Sequence, residues 1–163
     1  MRAGWVRNPR PKRTATLRQA FSTDPRAYRS GLEEQAARQI REAGLPVYFE
    51  VYRIPFVEPS KRRTYTPDLT LPNGVIIETK GIFQTADRQK HIFVRAQHPD
   101  LDIRFVFSNA KARIAKKSGT TYAMWAEKHG YKWAHKVIPE EWLREPANPA
   151  SLAALKSLGF APS

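Results

Sequence analysis

The chain has 163 residues and a formal net charge of +13, with an isoelectric point near 10.3. That length suits one domain with its own core, and a hydrophobic content of 41 % excludes a wholly disordered chain. No apolar run reaches the roughly 18 residues that span a bilayer, the N-terminus lacks the apolar centre of a secretory signal, and the absence of cysteine excludes disulfides, thiolate zinc sites and a cysteine nucleophile.

Residues 1–29 hold eight Arg and Lys side chains against Asp24 alone, with Pro9, Pro11 and Pro25 and little periodicity. Residues 1–27 read as a flexible basic arm. The overall charge points to a polyanionic partner, nucleic acid first, because each neutralised phosphate releases counterions. A plain solubilising tail is the other reading of the arm. No amphipathic Lys/Arg-rich helix accompanies the charge, so no membrane partner is expected, and a cytoplasmic protein is the simplest reading.

Order is expected from Tyr28. Ser30-Gly31-Leu32-Glu33 has the form of a capping box, and Leu32, Ala36, Ile40 and Ala43 recur at helical spacing before Gly44, which predicts a helix over 31–43. Val47 to Ile54 is β-branched and aromatic and reads as a strand. Pro55, Pro59 and Lys61-Arg62-Arg63 interrupt it, so residues 55–64 read as a bridge segment. An extended run from Tyr65 to Leu71 meets the turn signal Pro72-Asn73-Gly74, and Val75 to Lys80 leaves that turn as a strand ended by Gly81.

A helix over 86–97 follows, with Ile92, Phe93 and Ala96 facing the core, and then a strand over 103–107. Together they predict a right-handed βαβ unit. Next come a basic loop (Lys111, Arg113, Lys116, Lys117), a short helix near 121–129, a further strand within 131–137 and a turn of helix at Trp142. The tail, 147–163, carries Leu152, Leu155 and Leu158 at helical spacing, and packing on the body or lying free are both open. The expected class is α/β, a mixed sheet flanked by helices, with no internal repeat.

The stretch that carries chemistry is Thr66-Pro67-Asp68, then nine residues containing the hairpin turn, then Glu78-Thr79-Lys80. Residues two apart on a strand share a face, so Glu78 and Lys80 project together, and the hairpin folds Asp68 back to the same end. Two carboxylates and a backbone carbonyl suit a hard cation such as magnesium, and an ammonium suits a phosphate on which charge develops. The alternative is a charged, exposed edge strand. Val75-Ile76-Ile77 argues against it, since a consecutive apolar run suits a strand buried on both faces. Glu33 has two readings, helix capping or a metal-facing carboxylate. His91 and His98 lie seven apart without a third ligand, which favours phosphate contact or plain surface placement over zinc. Trp125, Trp133 and Trp142 are expected in the core rather than as base-stacking platforms.

Pro67-Asp68 followed by Glu78-Thr79-Lys80 across a hairpin resembles the PD-(D/E)xK nuclease superfamily. Tyr65-Thr-Pro-Asp68, Leu71-Pro-Asn-Gly74, Glu78-Thr-Lys-Gly81, Arg88-Gln-Lys-His91, Gln97-His-Pro99, Val106-Phe-Ser108, Glu127-Lys-His-Gly130 and Ile138-Pro-Glu, with Ser30-Gly-Leu-Glu33 before them, resemble the endonuclease I family of short-tailed T-odd coliphages. The resemblance runs from about Tyr28 to Pro146, about three-quarters of the chain, as a nuclease domain over 28–146.

It implies a restriction-endonuclease-like fold in an intertwined, domain-swapped homodimer whose bridge passes between two composite lobes. It implies metal-dependent resolution of four-way (Holliday) and other branched DNA junctions by paired nicks that leave 5′-phosphate and 3′-hydroxyl ends. Magnesium is the implied ion, with manganese able to substitute and two ions per active site. Glu33, Asp68, Glu78 and the Thr79 carbonyl would hold metal, and Lys80 would be the catalytic lysine. Candidate DNA contacts are Lys61, Arg62, Arg63, Arg88, Lys90, His91, Lys111, Arg113, Lys116 and Lys117. Two rival readings are a nuclease of this fold acting on linear duplex and a non-catalytic basic nucleic-acid-binding protein.

Overall fold

The computed structural model describes residues 28, 30–58 and 60–160, so the expected basic arm, 1–27, lies outside the described residues. Helix α1 (Gly31–Glu42) starts where the capping signal puts it: Ser30 Oγ accepts from the Glu33 N–H at 3.2 Å. Its buried stripe is Ala36, Ala37 and Ile40, with Glu33 at the first turn.

The strand expected over 47–54 is broken. Strand β1 (Tyr48–Phe49) stops at Glu50, whose φ of 47° is left-handed and leaves the extended region. The segment expected as a bridge over 55–64 folds back instead as an antiparallel ribbon of β2 (Ile54–Glu58) and β3 (Lys61–Tyr65), with Ile54 opposite Tyr65 and Glu58 opposite Lys61. Pro55 is tolerated because β2 is an edge strand outside the main sheet. The Gln97 side chain closes that edge, accepting from Val57 N–H at 2.6 Å and donating to Val57 O at 2.7 Å.

The main sheet has the order β1-β4-β5-β6-β7. Strand β4 (Leu69–Thr70) runs antiparallel to β5 (Val75–Lys80) through the expected turn, where Gly74 takes φ +89° and its N–H donates to Leu71 O at 3.0 Å. Helix α2 (Thr85–Gln97) crosses over to β6 (Asp102–Phe107), parallel to β5 with Lys80 beside Phe107; β7 (Lys132–His135) is parallel to β6. Helices α3 (Tyr122–Lys128), α4 (Glu140–Arg144) and α5 (Pro149–Ser157) complete a mixed sheet flanked by helices. Among the described residues, no helix is long and apolar enough to cross a membrane.

The pleat divides the apolar run of β5 between two cores. Ile76 packs with Phe83, Val94, Phe105, Phe107, Trp125 and Tyr131, whereas Val75 and Ile77 pack with Ala36, Ile40, Leu69, Val106 and Trp142. Glu78 and Lys80 have the parity of Ile76 and therefore face α2. On α2 the expected core face of Ile92, Phe93 and Ala96 is rotated. Arg88, His91 and Val94 are buried, Ile92 and Phe93 are half-buried and Ala96 is exposed. Arg88 turns inward because its guanidinium donates to Phe83 O and, at 2.9 Å, to Thr85 Oγ1.

The tail docks on the body. Leu155 is fully buried, Ser151 Oγ donates to Gly74 O at 2.7 Å, and Asn148 N–H donates to Asn73 O at 2.8 Å. Trp125 and Trp142 are buried, and half-buried Trp133 donates through Nε1 to Glu127 at 2.9 Å.

Candidate active site

The β4–β5 register, with Leu69 opposite Ile77, brings Asp68 opposite Glu78 when continued by one residue. Residues directly opposite in an antiparallel pair share a face, so the local pairing alone sets two carboxylates side by side. Asp68 is then oriented by Thr79, whose N–H and hydroxyl both donate to Oδ2 at 2.8 Å, leaving Oδ1 for another partner.

Glu78 is 2 % exposed and surrounded. Lys80 Nζ lies 2.8 Å from Oε1, Lys90 Nζ 4.0 Å from the same atom, and the Tyr65 hydroxyl donates to Oε2 at 2.7 Å. His91 Nε2 stands 3.4 Å from Oε1, with neither ring nitrogen in hydrogen-bond geometry. Asp87, in the first turn of α2, sits 3.8 Å from Lys80 Nζ and 3.7 Å from Lys90 Nζ.

This crowding separates the two carboxyl groups electrically. Burial, followed by repulsion from Glu78, pushes Asp68 up to about 7, against the pull of Lys80 and the Thr79 donors. Burial also opposes ionisation of Glu78, but the ammonium groups of Lys80 and Lys90 hold it well below the usual carboxylate range. Burial lowers Lys80, and the charges of Glu78 and Asp68 outweigh it and hold the ammonium protonated. Burial lowers His91 below its ordinary value despite Glu78, which favours the neutral ring. Tyr65 is raised by burial and by Glu78 and remains a hydroxyl donor.

The donor set suits a hard divalent cation. Asp68 and Glu78 offer only oxygen, and a cation between them would relieve the repulsion that raises Asp68. Among the described residues no three His, Cys, Asp or Glu side chains gather into a metal-binding group. Magnesium needs no such cage, since it commonly takes one or two carboxylates and fills its remaining positions with water and phosphate. Glu33, in the first turn of α1 and 9 % exposed, does not join Asp68 and Glu78 in such a group.

The basic residues fall into three sets. Lys111, Arg113, Lys116 and Lys117 are exposed on the loop leaving β6, at the strand end where Ser108 N–H donates to Lys80 O at 3.0 Å. Lys61, Arg62 and Arg63 are exposed on β3, with Arg63 paired to Glu58 at 3.2 Å. Lys90 belongs to the carboxylate cluster itself. Arg88 and His91 are corrections to the expected DNA contacts: both are buried, Arg88 bonded to the loop before α2 and His91 fully enclosed behind Glu78. His98 instead meets Pro55 O on the ribbon. Sequence reasoning missed Tyr65, Asp87 and the place of Lys90. The available signals were that Tyr65 lies three residues before Asp68, and that Asp87 and Lys90 are i, i+3 partners on α2.

A model of the phage endonuclease I family matches residues 14–160. Endonuclease I of Escherichia phage T7 is 45 % identical over 133 residues, covering 82 % of this chain and 89 % of that protein. Endodeoxyribonuclease 1 of Enterobacteria phage T3 is 48 % identical over 127 residues, covering 78 % of this chain and 84 % of that protein. The family match takes in α5 and reaches into the basic N-terminal segment, beyond residues 28–146.

Proposed function

The chain belongs to the phage endonuclease I family, and from that premise we propose that it resolves four-way and other branched DNA junctions in a metal-dependent reaction. It is a deoxyribonuclease, a hydrolase of DNA phosphodiesters. The observation that carries the reading is the Asp68, Glu78 and Lys80 cluster at the same end of the sheet as the exposed basic loop 108–121.

Magnesium, or manganese in its place, would be held by Asp68, Glu78 and the Thr79 carbonyl. Glu33 with Asp68 would complete a second position. When bound, the ions supply Lewis-acid polarisation of the phosphate and neutralise charge on the attacking and leaving oxygens. The protein's own groups do the rest. Thr79 fixes the Asp68 carboxylate, and Lys80, already charged and 15 % exposed, offers its ammonium to the phosphate as negative charge develops. Lys111, Arg113, Lys116 and Lys117 would hold the flanking backbone, and Lys61, Arg62 and Arg63 a second strand. The products would be a 5′-phosphate and a 3′-hydroxyl.

The working form in this reading is an intertwined homodimer of restriction-endonuclease-like lobes. In that dimer segment 55–64, a folded-back ribbon in the single chain, would open into the exchanged bridge, and Glu33 would be supplied to the partner's site. Two linked sites suit a junction, since two strands can be nicked before the protein leaves. Recognition would rest on shape and phosphate placement rather than on base edges. The phage origin of both relatives supports action in the cytoplasm of a host cell. The test is cleavage of a synthetic four-way junction beside linear duplex of the same sequence in magnesium. Paired nicks near the crossover and little duplex cutting are expected; equal cutting of both substrates would contradict junction selectivity.

A further inference from the structure

The geometry assigns Tyr65 as the positioning residue that orients the Glu78 carboxylate towards the cation site, an inference that rests on the metal-centre reading above. Lys80, Lys90 and His91 all approach one oxygen of Glu78, Oε1, at 2.8, 4.0 and 3.4 Å. Among the described residues, the other oxygen, Oε2, has one hydrogen bond, from the Tyr65 hydroxyl at 2.7 Å. The terminal torsion of a glutamate is soft and roughly two-fold, so charges gathered around one oxygen do not by themselves fix the carboxylate plane. A directional bond on the other oxygen does. It anchors Oε2 on the Tyr65 hydroxyl and leaves Oε1 to Lys80 and Lys90.

Tyr65 is built for this. It ends β3, a strand whose other four residues, Lys61 to Thr64, are all exposed, and it alone turns in, to 1 % exposure. Its ring is fixed by an edge contact with His91 at 5.0 Å between centroids and by the Lys90 ammonium 5.2 Å above its face. The hydroxyl is thus delivered to Oε2 from the ribbon, an element separate from the sheet that carries Glu78. Partners of this kind behind a metal-binding carboxylate commonly account for 10–100-fold in metal affinity.

The test is Mn²⁺ binding to DNA-free protein, read by paramagnetic resonance of free Mn²⁺, for wild type, Tyr65→Phe and Tyr52→Phe. Tyr52→Phe is the control, because it removes the hydroxyl of a half-buried tyrosine bonded to Thr70 rather than to Glu78. Tyr65→Phe is expected to weaken Mn²⁺ about 10-fold or more, with a cooperative melt in EDTA, while Tyr52→Phe binds as wild type. Equal affinity in all three overturns the inference. Absence of binding in wild type overturns the metal-centre reading instead, which separates the two failures. In wild-type protein labelled with ¹³C at the tyrosine Cζ, one resonance is expected to move when Mg²⁺ is added. If none moves, the inference falls without recourse to any variant.

Discussion

Thr79 donates both its backbone N–H and its hydroxyl to one oxygen of Asp68, each at 2.8 Å. The N–H comes from the main chain of β5 and stays in any non-proline replacement of Thr79; the hydroxyl bond belongs to threonine. Thr79→Val should therefore keep the fold and lose part of the alignment of Asp68. Removing the hydroxyl is expected to lower the single-turnover cleavage rate on the order of 10-fold, by analogy with the loss of other outer partners of metal ligands, and to move the acidic limb of its pH profile upward. A rate and profile equal to wild type would show that the backbone bond is sufficient.

Asp68 is held near 7 in the metal-free protein, above its unfolded value of about 3.9. A folded value above the unfolded one means that the native state binds the extra proton. The associated stability is present at low pH and is lost as pH rises through about 7, to a total of about 4 kcal/mol. Asp68→Asn cannot ionise and escapes that loss. In EDTA it is expected to melt above wild type at pH 8 and close to wild type at pH 4; a lower melting temperature at pH 8 would contradict the assignment. The same linkage makes divalent-ion binding expel a proton below pH 7, so affinity should weaken as the solution is acidified.

The basic loop and the buried arginine should respond differently. Lys116 and Lys117 are exposed on the loop that leaves β6, so changing both to Ala is expected to weaken junction binding and reduce the slope of log affinity against log salt by roughly 2, about 0.9 per phosphate contact. Arg88 is buried and bonded to Phe83 O and Thr85. Arg88→Ala is expected to leave the salt slope unchanged and lower stability by roughly 1–3 kcal/mol through the unpaired carbonyl. Filter binding across salt concentrations, with thermal melts alongside, separates the two outcomes.

Much of this arrangement is legible in the chain. Helix α1, β5, α2 and β6 carry unbroken periodic patterns with marked ends, and Pro72-Asn73-Gly74 announces the hairpin that brings Asp68 beside Glu78. The failures have physical reasons. Nothing in the identity of Glu50 signals a left-handed residue, so the break after β1 is hidden. Pro55 and the run of positive charge at 61–63 look like interruptions, yet an edge ribbon accepts a proline and exposes its charges. Helix α2 buries Arg88 and His91 because their partners lie inside, on Phe83 and around Glu78, and hydropathy carries no information about partners. Tyr65 reaches Glu78 across 13 residues and two sheets, a contact no local pattern encodes.

The most direct measurement is cleavage and binding of one four-way junction by wild type and Asp68→Asn in magnesium. The account predicts paired nicks by wild type, loss of cleavage in Asp68→Asn, and junction binding retained or tightened as a buried negative charge is removed near the phosphate. Cleavage by Asp68→Asn at the wild-type rate would contradict it, because the chemistry would then not depend on the Asp68–Glu78 pair.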